Sequence, residues 1–149
     1  MNFDYRLVNI YADPNNNLLI ISNGQSQKWG GVTAEIDVVN QIAFPYSDEE
    51  VEEALIKAMK LCYTKNPDDD DSSPIEKFLK VKGYSKAVKD KKLVCFRWDI
   101  DDGYYLIPTE KIPKRGFVHL EDKTIRLGKA IEKGKLAISF KEALKLSKS

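Results

Sequence analysis

Two stretches of this chain end an apolar, strand-like run at a serine with a glutamate three residues on. Ile42-Ala43-Phe44-Pro45-Tyr46 leads into Ser47 and Glu50, and Leu136-Ala137-Ile138 leads into Ser139 and Glu142. Each matches a capping box, in which the serine hydroxyl accepts from the amide three residues later and the glutamate reaches back to the serine amide. The bodies that follow also match, Glu53-Ala54-Leu55-Ile56-Lys57 against Glu142-Ala143-Leu144-Lys145. The pattern predicts two related strand-to-helix entries, with helices starting near Ser47 and Ser139.

Strand signals fill the rest. Tyr5 to Ile10 alternates weakly, Leu18-Leu19-Ile20-Ile21 is a short apolar run, and Pro14-Asn15-Asn16-Asn17 between them reads as a hairpin turn. After the turn signal Trp29-Gly30-Gly31, Val32 to Val38 alternates with period two and Gln41 to Phe44 adds a further strand, so four strands are expected before the first helix. From Ser47 to Tyr63 the apolar positions Val51, Leu55, Ala58 and Cys62 form one stripe, with acids in the first turns where the helix dipole favours them. Asp68-Asp69-Asp70-Asp71-Ser72-Ser73-Pro74 reads as an acidic loop spanning 67–74. One or two short helices are expected over 75–91, interrupted at Gly83. Leu93 to Trp98 and Tyr104 to Ile107 form a hairpin through Asp102-Gly103. Phe117 to Leu120 and Thr124 to Leu127 make another hairpin, around Glu121-Asp122-Lys123. The expected fold is α/β in the α+β sense: a single domain over 1–149 with a twisted, largely antiparallel sheet packed by helices. A chain of 149 residues has room for one real core, burying roughly 68–70% of its unfolded surface.

Charge is balanced overall but segregated. The net charge is +1, so no global field recruits nucleic acid or an anionic membrane. Residues 46–76 carry ten acidic and three basic side chains, and 77–97 carry eight basic and one acidic. Such segregation either steers a charged partner or solvates opposite faces. The N-terminus Met1-Asn2-Phe3-Asp4 has no secretory signal pattern, and no apolar run approaches the ~20 residues of a membrane-spanning helix, so a cytoplasmic location is expected. Cys62 and Cys95 form no CxxC pair and read as reduced core residues.

Most enzyme templates fail by inventory. His119 is the only histidine and sits on an alternating strand between Val118 and Leu120. The sequence has no GxxxxGK[ST] and no GxGxxG, and no histidine-cysteine group of zinc-ligand type. Asp99, Asp101 and Glu110 mimic places one, three and twelve of a calcium loop, but the sixth place is Tyr104 rather than glycine. No catalytic residue, metal or cofactor is assigned. Trp98, Tyr104, Tyr105 and Phe117 with Arg97, Lys111, Lys114 and Arg115 read either as core aromatics or as an aromatic-basic surface for RNA, the latter opposed by Asp99, Asp101 and Asp102.

Gly83-Tyr84-Ser85-Lys86, the strand ending Leu106-Ile107-Pro108 and the closing helix Phe140 to Ser147 together resemble the CdiI-type immunity proteins of bacterial contact-dependent growth inhibition, and the related immunity partners of LXG polymorphic toxins. The resemblance covers about residues 29–149. It implies a non-enzymatic inhibitor that binds a cognate toxin in the cytosol and blocks its active site, the toxins of this family being commonly nucleases, including ribonucleases of the EndoU type. It assigns no binding residue, since such interfaces differ between pairs. Physics narrows the choice: a nuclease site is electropositive because it attracts phosphate, so its inhibitor should present carboxylates. The candidates are Glu49, Glu52, Glu53, Asp68, Asp69, Asp70, Asp71, Asp99, Asp101 and Asp102. Alternatives are a second immunity architecture with a loop like Trp29-Gly30-Gly31, an intracellular nucleic-acid-binding regulator without catalysis, and a small hydrolase using paired carboxylates.

Overall fold

In the computed structural model, which describes residues 3–69 and 71–149, the elements run β1 (Tyr5–Ala12), β2 (Leu18–Ser26), β3 (Val32–Ile42), α1 (Asp48–Lys60), α2 (Pro74–Leu79), α3 (Tyr84–Ala87), β4 (Lys92–Asp99), β5 (Gly103–Ile112), β6 (Gly116–His119), β7 (Ile125–Gly128) and α4 (Lys135–Leu146). Seven strands form one antiparallel sheet in the order β3-β2-β1-β4-β5-β6, with β7 also paired to β5. With four helices it makes a single α+β domain.

Alternation decides which side chains meet which layer. Val8, Ile10 and Ala12 of β1, Val94 and Phe96 of β4 and Leu106 of β5 point to one face, where α1 and α4 cover them with Val51, Leu55, Leu136 and Phe140. Tyr11, Leu19, Ile21, Cys95 and Ile107 point to the other face, where Ile75 of α2 and the Ala87-Val88 pair at α3 meet them. The first layer leaves a groove between α1 and β3, lined by Ile20, Ser22, Ala54 and Ala58. The second covers part of its face and leaves the rest open.

The helix at Ser47 is built as its sequence requires: Glu50 N donates to Ser47 Oγ at 3.1 Å, and Ser47 N donates back to Glu50 Oε1 at 3.3 Å. The second entry is a correction. Leu136-Ala137-Ile138 is helical, and Ser139 lies inside α4, 8% exposed, because α4 begins at Lys135 after Gly134. The cap comes from another helix: Glu52 of α1 accepts from Gly134 N at 3.2 Å and from Ala137 N at 3.0 Å. An acceptor supplied across the core makes the local serine unnecessary as a start signal. The α1–α4 contact is reinforced by an ion pair between Lys141 and Asp48 at 2.5 Å. A second local glutamate cap falls at Ser73, where Glu76 Oε1 accepts from the Ser73 amide at 3.3 Å and its hydroxyl at 2.7 Å.

Two strand expectations also change. Val32 to Ile42 is one continuous strand rather than two, so three strands precede α1. The stretches 117–120 and 124–127 do not pair with each other. Both add to the same edge of β5, β7 against Tyr104–Leu106 and β6 against Thr109–Ile112. A 3-10 turn at Glu121–Lys123 carries the chain between them.

Candidate functional site

Two surfaces gather the chemistry. The first is the uncovered part of the sheet, a depression of about 640 Å³ running from Glu35 on β3 across β1 and β4 to His119 on β6. Register builds it: Glu35 lies opposite Asn23, Leu7 opposite Arg97, and Asn9 opposite Cys95. Odd-numbered residues of β1 and β4 therefore share this face, while their even-numbered neighbours fill the core.

A polar chain crosses the face. Tyr11 Oη donates to Glu35 Oε2 at 2.7 Å, and Asn9 Nδ2 donates to the same oxygen at 2.8 Å. Tyr84 Oη lies 2.7 Å from Tyr11 Oη. Further along, Cys95 Sγ sits 3.6 Å from Asn9 Oδ1 and 3.8 Å from His119 Nε2, and Arg97 NH2 is 3.4 Å from His119 Nδ1. Burial raises the Glu35 carboxyl above its ordinary value, against the lowering effect of its two hydrogen bonds. Burial likewise pushes the Cys95 thiol up to about 12, so at neutral pH it is a protonated, weakly polar group rather than a nucleophile. Desolvation and then the Arg97 charge lower the His119 pKa, with Glu121 opposing, so the imidazole is neutral at pH 7. Asn23 Nδ2 and Arg97 Nε, both on residues lining this depression, are the buried side-chain donors that find no acceptor among the described residues.

The second surface is the tip of the β2–β3 hairpin. Asp68, in a 3-10 turn at Pro67–Asp69, accepts from Ser26 Oγ and from the amides of Gln27 at 2.9 Å and Lys28 at 3.0 Å, fixing the tip. Those donors hold the Asp68 carboxyl below its ordinary value, the Ser26 hydroxyl contributing most. The tip presents Trp29, 69% exposed, with Lys28 Nζ 5.7 Å from its ring centroid. Asp37, Asp68 and Asp71 line a depression of about 290 Å³ beside Trp29, and Lys77 pairs with Asp37 at 3.0 Å.

The candidate carboxylates therefore separate into three places. Asp68, Asp69 and Asp71 stand near the hairpin tip, and Asp70 lies outside the described residues. Glu49 and Glu53 are exposed on α1, whereas Glu52 is engaged as the cap of α4. Asp99 closes the β4–β5 turn by accepting from Asp101 N at 3.0 Å and Asp102 N at 2.7 Å; Asp102 pairs with Arg126 at 3.7 Å and Asp101 is exposed. Three of them, Asp68, Asp99 and Glu52, hold the backbone in place. The polar face was missed by reading strands one at a time. Its signal was the polar or aromatic residue at odd positions of β1, Tyr5, Asn9 and Tyr11, alternating with apolar Val8 and Ile10.

No protein-family model matches the chain, and no curated protein sequence does. Among solved structures it is similar to a protein of unknown function, NMB0488, from Neisseria meningitidis, with a TM-score of 0.72, 13% sequence identity and 99% of each chain covered. At that identity the likeness shows the fold alone.

Proposed function

We propose that this chain is an immunity protein that binds and neutralises a cognate bacterial toxin in the cytoplasm, the toxin being a nuclease domain whose active site it blocks. The observation that carries this reading is Trp29, a large aromatic exposed on a turn that Asp68 pins from beneath, with Asp37 and Asp71 beside it. A rigid exposed tryptophan is the residue type most enriched at interface hot spots, and pinning it in advance lowers the ordering cost of binding. The surrounding carboxylates suit a partner whose cleft is electropositive because it attracts phosphate. The CdiI-type resemblance of the sequence supports the same reading.

Co-expression with candidate nuclease toxin domains tests the reading in a growth assay, followed by titration calorimetry of the purified pair. Protection and a one-to-one complex are expected. Trp29→Ala should weaken that complex by about 2 kcal/mol or more, roughly 30-fold. Neutralising Asp37 and Asp71 together should slow association and flatten its salt dependence. Unprotected cells with no complex would remove the reading, and salt-dependent RNA binding by the chain alone would replace it with the nucleic-acid regulator.

A further inference from the structure

The open face of the sheet carries a cation whose partners are neutral, His119, Tyr5 and Tyr105. Arg97 rises from β4 with its guanidinium 5.7 Å from the Tyr5 ring centroid and in contact with His119, and no carboxylate within ion-pair distance accompanies it among the described residues. Charges taken partly out of water are ordinarily paired. The nearest carboxylates are occupied elsewhere: Glu121 lies 3.6 Å from His119 Nδ1, Asp99 accepts from its own turn, and Glu35 is held by Asn9 and Tyr11 at the far end of the face.

A second observation points to the same place. Of the described side chains, the buried donors lacking an acceptor are Arg97 Nε and Asn23 Nδ2, and both residues line this one depression. Asn23 is 3% exposed, and Leu7, which lies opposite Arg97, lines the same depression. Orphaned buried donors in a native fold call for an acceptor from outside the chain. Arg115, exposed at the β5–β6 turn, is a second cation lining the depression. The depression, about 640 Å³, is of the size that small-molecule sites occupy.

The geometry points to an oxyanion-binding site centred on Arg97, with Arg115 at its rim and His119 and Asn23 beside it, that takes a ligand bearing a carboxylate or a phosphate group. A guanidinium edge matches both through paired N–H donors, and His119 adds a donor or acceptor according to its tautomer. The Tyr5 ring centroid lies 5.7 Å from the guanidinium carbon. This site is separate from the Trp29 surface and does not depend on the immunity reading.

The test uses acetate and inorganic phosphate as probes, each titrated at constant ionic strength against sodium chloride while the Arg97 Nε and His119 side-chain NMR signals are followed. A saturable shift with at least one of the two probes, absent with chloride, is the expected result, and the stronger probe identifies the group. Arg97→Gln should weaken that binding at least tenfold and Arg97→Lys should restore it only in part, since lysine keeps the charge and loses the fork. Arg115→Gln, at the exposed rim, should weaken it severalfold without disturbing the fold, and it decides the matter if the Arg97 variants do not fold. Shifts that grow linearly and equally with all three salts would overturn the proposal. So would unchanged binding in Arg115→Gln together with unchanged or unobtainable binding in Arg97→Gln.

Discussion

Removing the Glu52 carboxylate isolates the contact that starts the last helix. Glu52 belongs to α1, yet its two oxygens accept from Gly134 N at 3.2 Å and Ala137 N at 3.0 Å, amides that a helix start leaves without intrahelical partners. Losing a side-chain cap costs about 0.5–2 kcal/mol. Losing a negative charge at the positive end of a helix adds about 0.3–1 kcal/mol. Glu52→Ala should therefore destabilise by about 1–3 kcal/mol, and a central loss of about 2 kcal/mol corresponds to a fall in melting midpoint of about 4–8 °C at this chain length. Glu52→Gln keeps one acceptor, sets an N–H donor against the other amide and removes the charge, so its cost should approach that of Glu52→Ala. Urea and thermal unfolding followed by circular dichroism measure all three proteins, with Glu53→Ala, exposed on the same helix, as the control. If Glu52→Ala unfolds no earlier than Glu53→Ala, the capping argument is wrong.

Ser47→Ala should cost about 0.5–2 kcal/mol because its hydroxyl caps α1, whereas Ser139→Ala, inside α4, should be neutral or slightly stabilising; equal losses in thermal unfolding would refute the assignment. Burial raises the Glu35 pKa above its ordinary 4.5, so the unfolded chain releases that proton first and stability falls as pH rises from about 4.5 through the native value. Glu35→Gln should remove that slope while its amide oxygen still accepts from Tyr11 and Asn9, and parallel pH profiles of urea midpoints for the two proteins would contradict the reasoning. With its pKa pushed up to about 12, the buried Cys95 thiol should react with a disulfide reagent at pH 8 only as fast as the fold opens, and reaction at the rate of a free thiol would show the site to be accessible.

Local rules were legible where the partner was local. Ser47 and Glu50 cap each other within four residues, Asp102-Gly103 closes its own hairpin, and the stripe Val51, Leu55, Ala58 needs only helical spacing. The same rule failed at Ser139 because the acceptor that starts α4 is Glu52, more than 80 residues away in sequence. It also passed over Ser73 and Glu76, whose short helix follows an aspartate run that drew the reading toward a loop. β6 and β7 look like a hairpin in sequence, since each is four residues long and only residues 120–124 separate them; which edge they choose depends on β5. The candidate carboxylates were chosen by charge, and charge alone does not distinguish Asp101, which faces solvent, from Asp99, which closes a turn. The polar face was hidden for a related reason: Asn9, Cys95 and Arg97 become neighbours only once β1 and β4 are paired in register.

Successive residues of β1 answer to different demands. Val8, Ile10 and Ala12 are fixed by the helices packed against them, while Tyr5, Leu7 and Asn9 look onto the open face. A gene encoding such a strand can vary the codons for Tyr5, Leu7 and Asn9 at less cost to packing than those for Val8 and Ile10, but not the codon for Tyr11, which is 1% exposed in the second core. The open face can then diverge at a pace set by what it meets, while packing holds the shape. A saturation scan of β1 should accordingly show tolerance that alternates through Tyr5, Leu7 and Asn9 and stops at Tyr11.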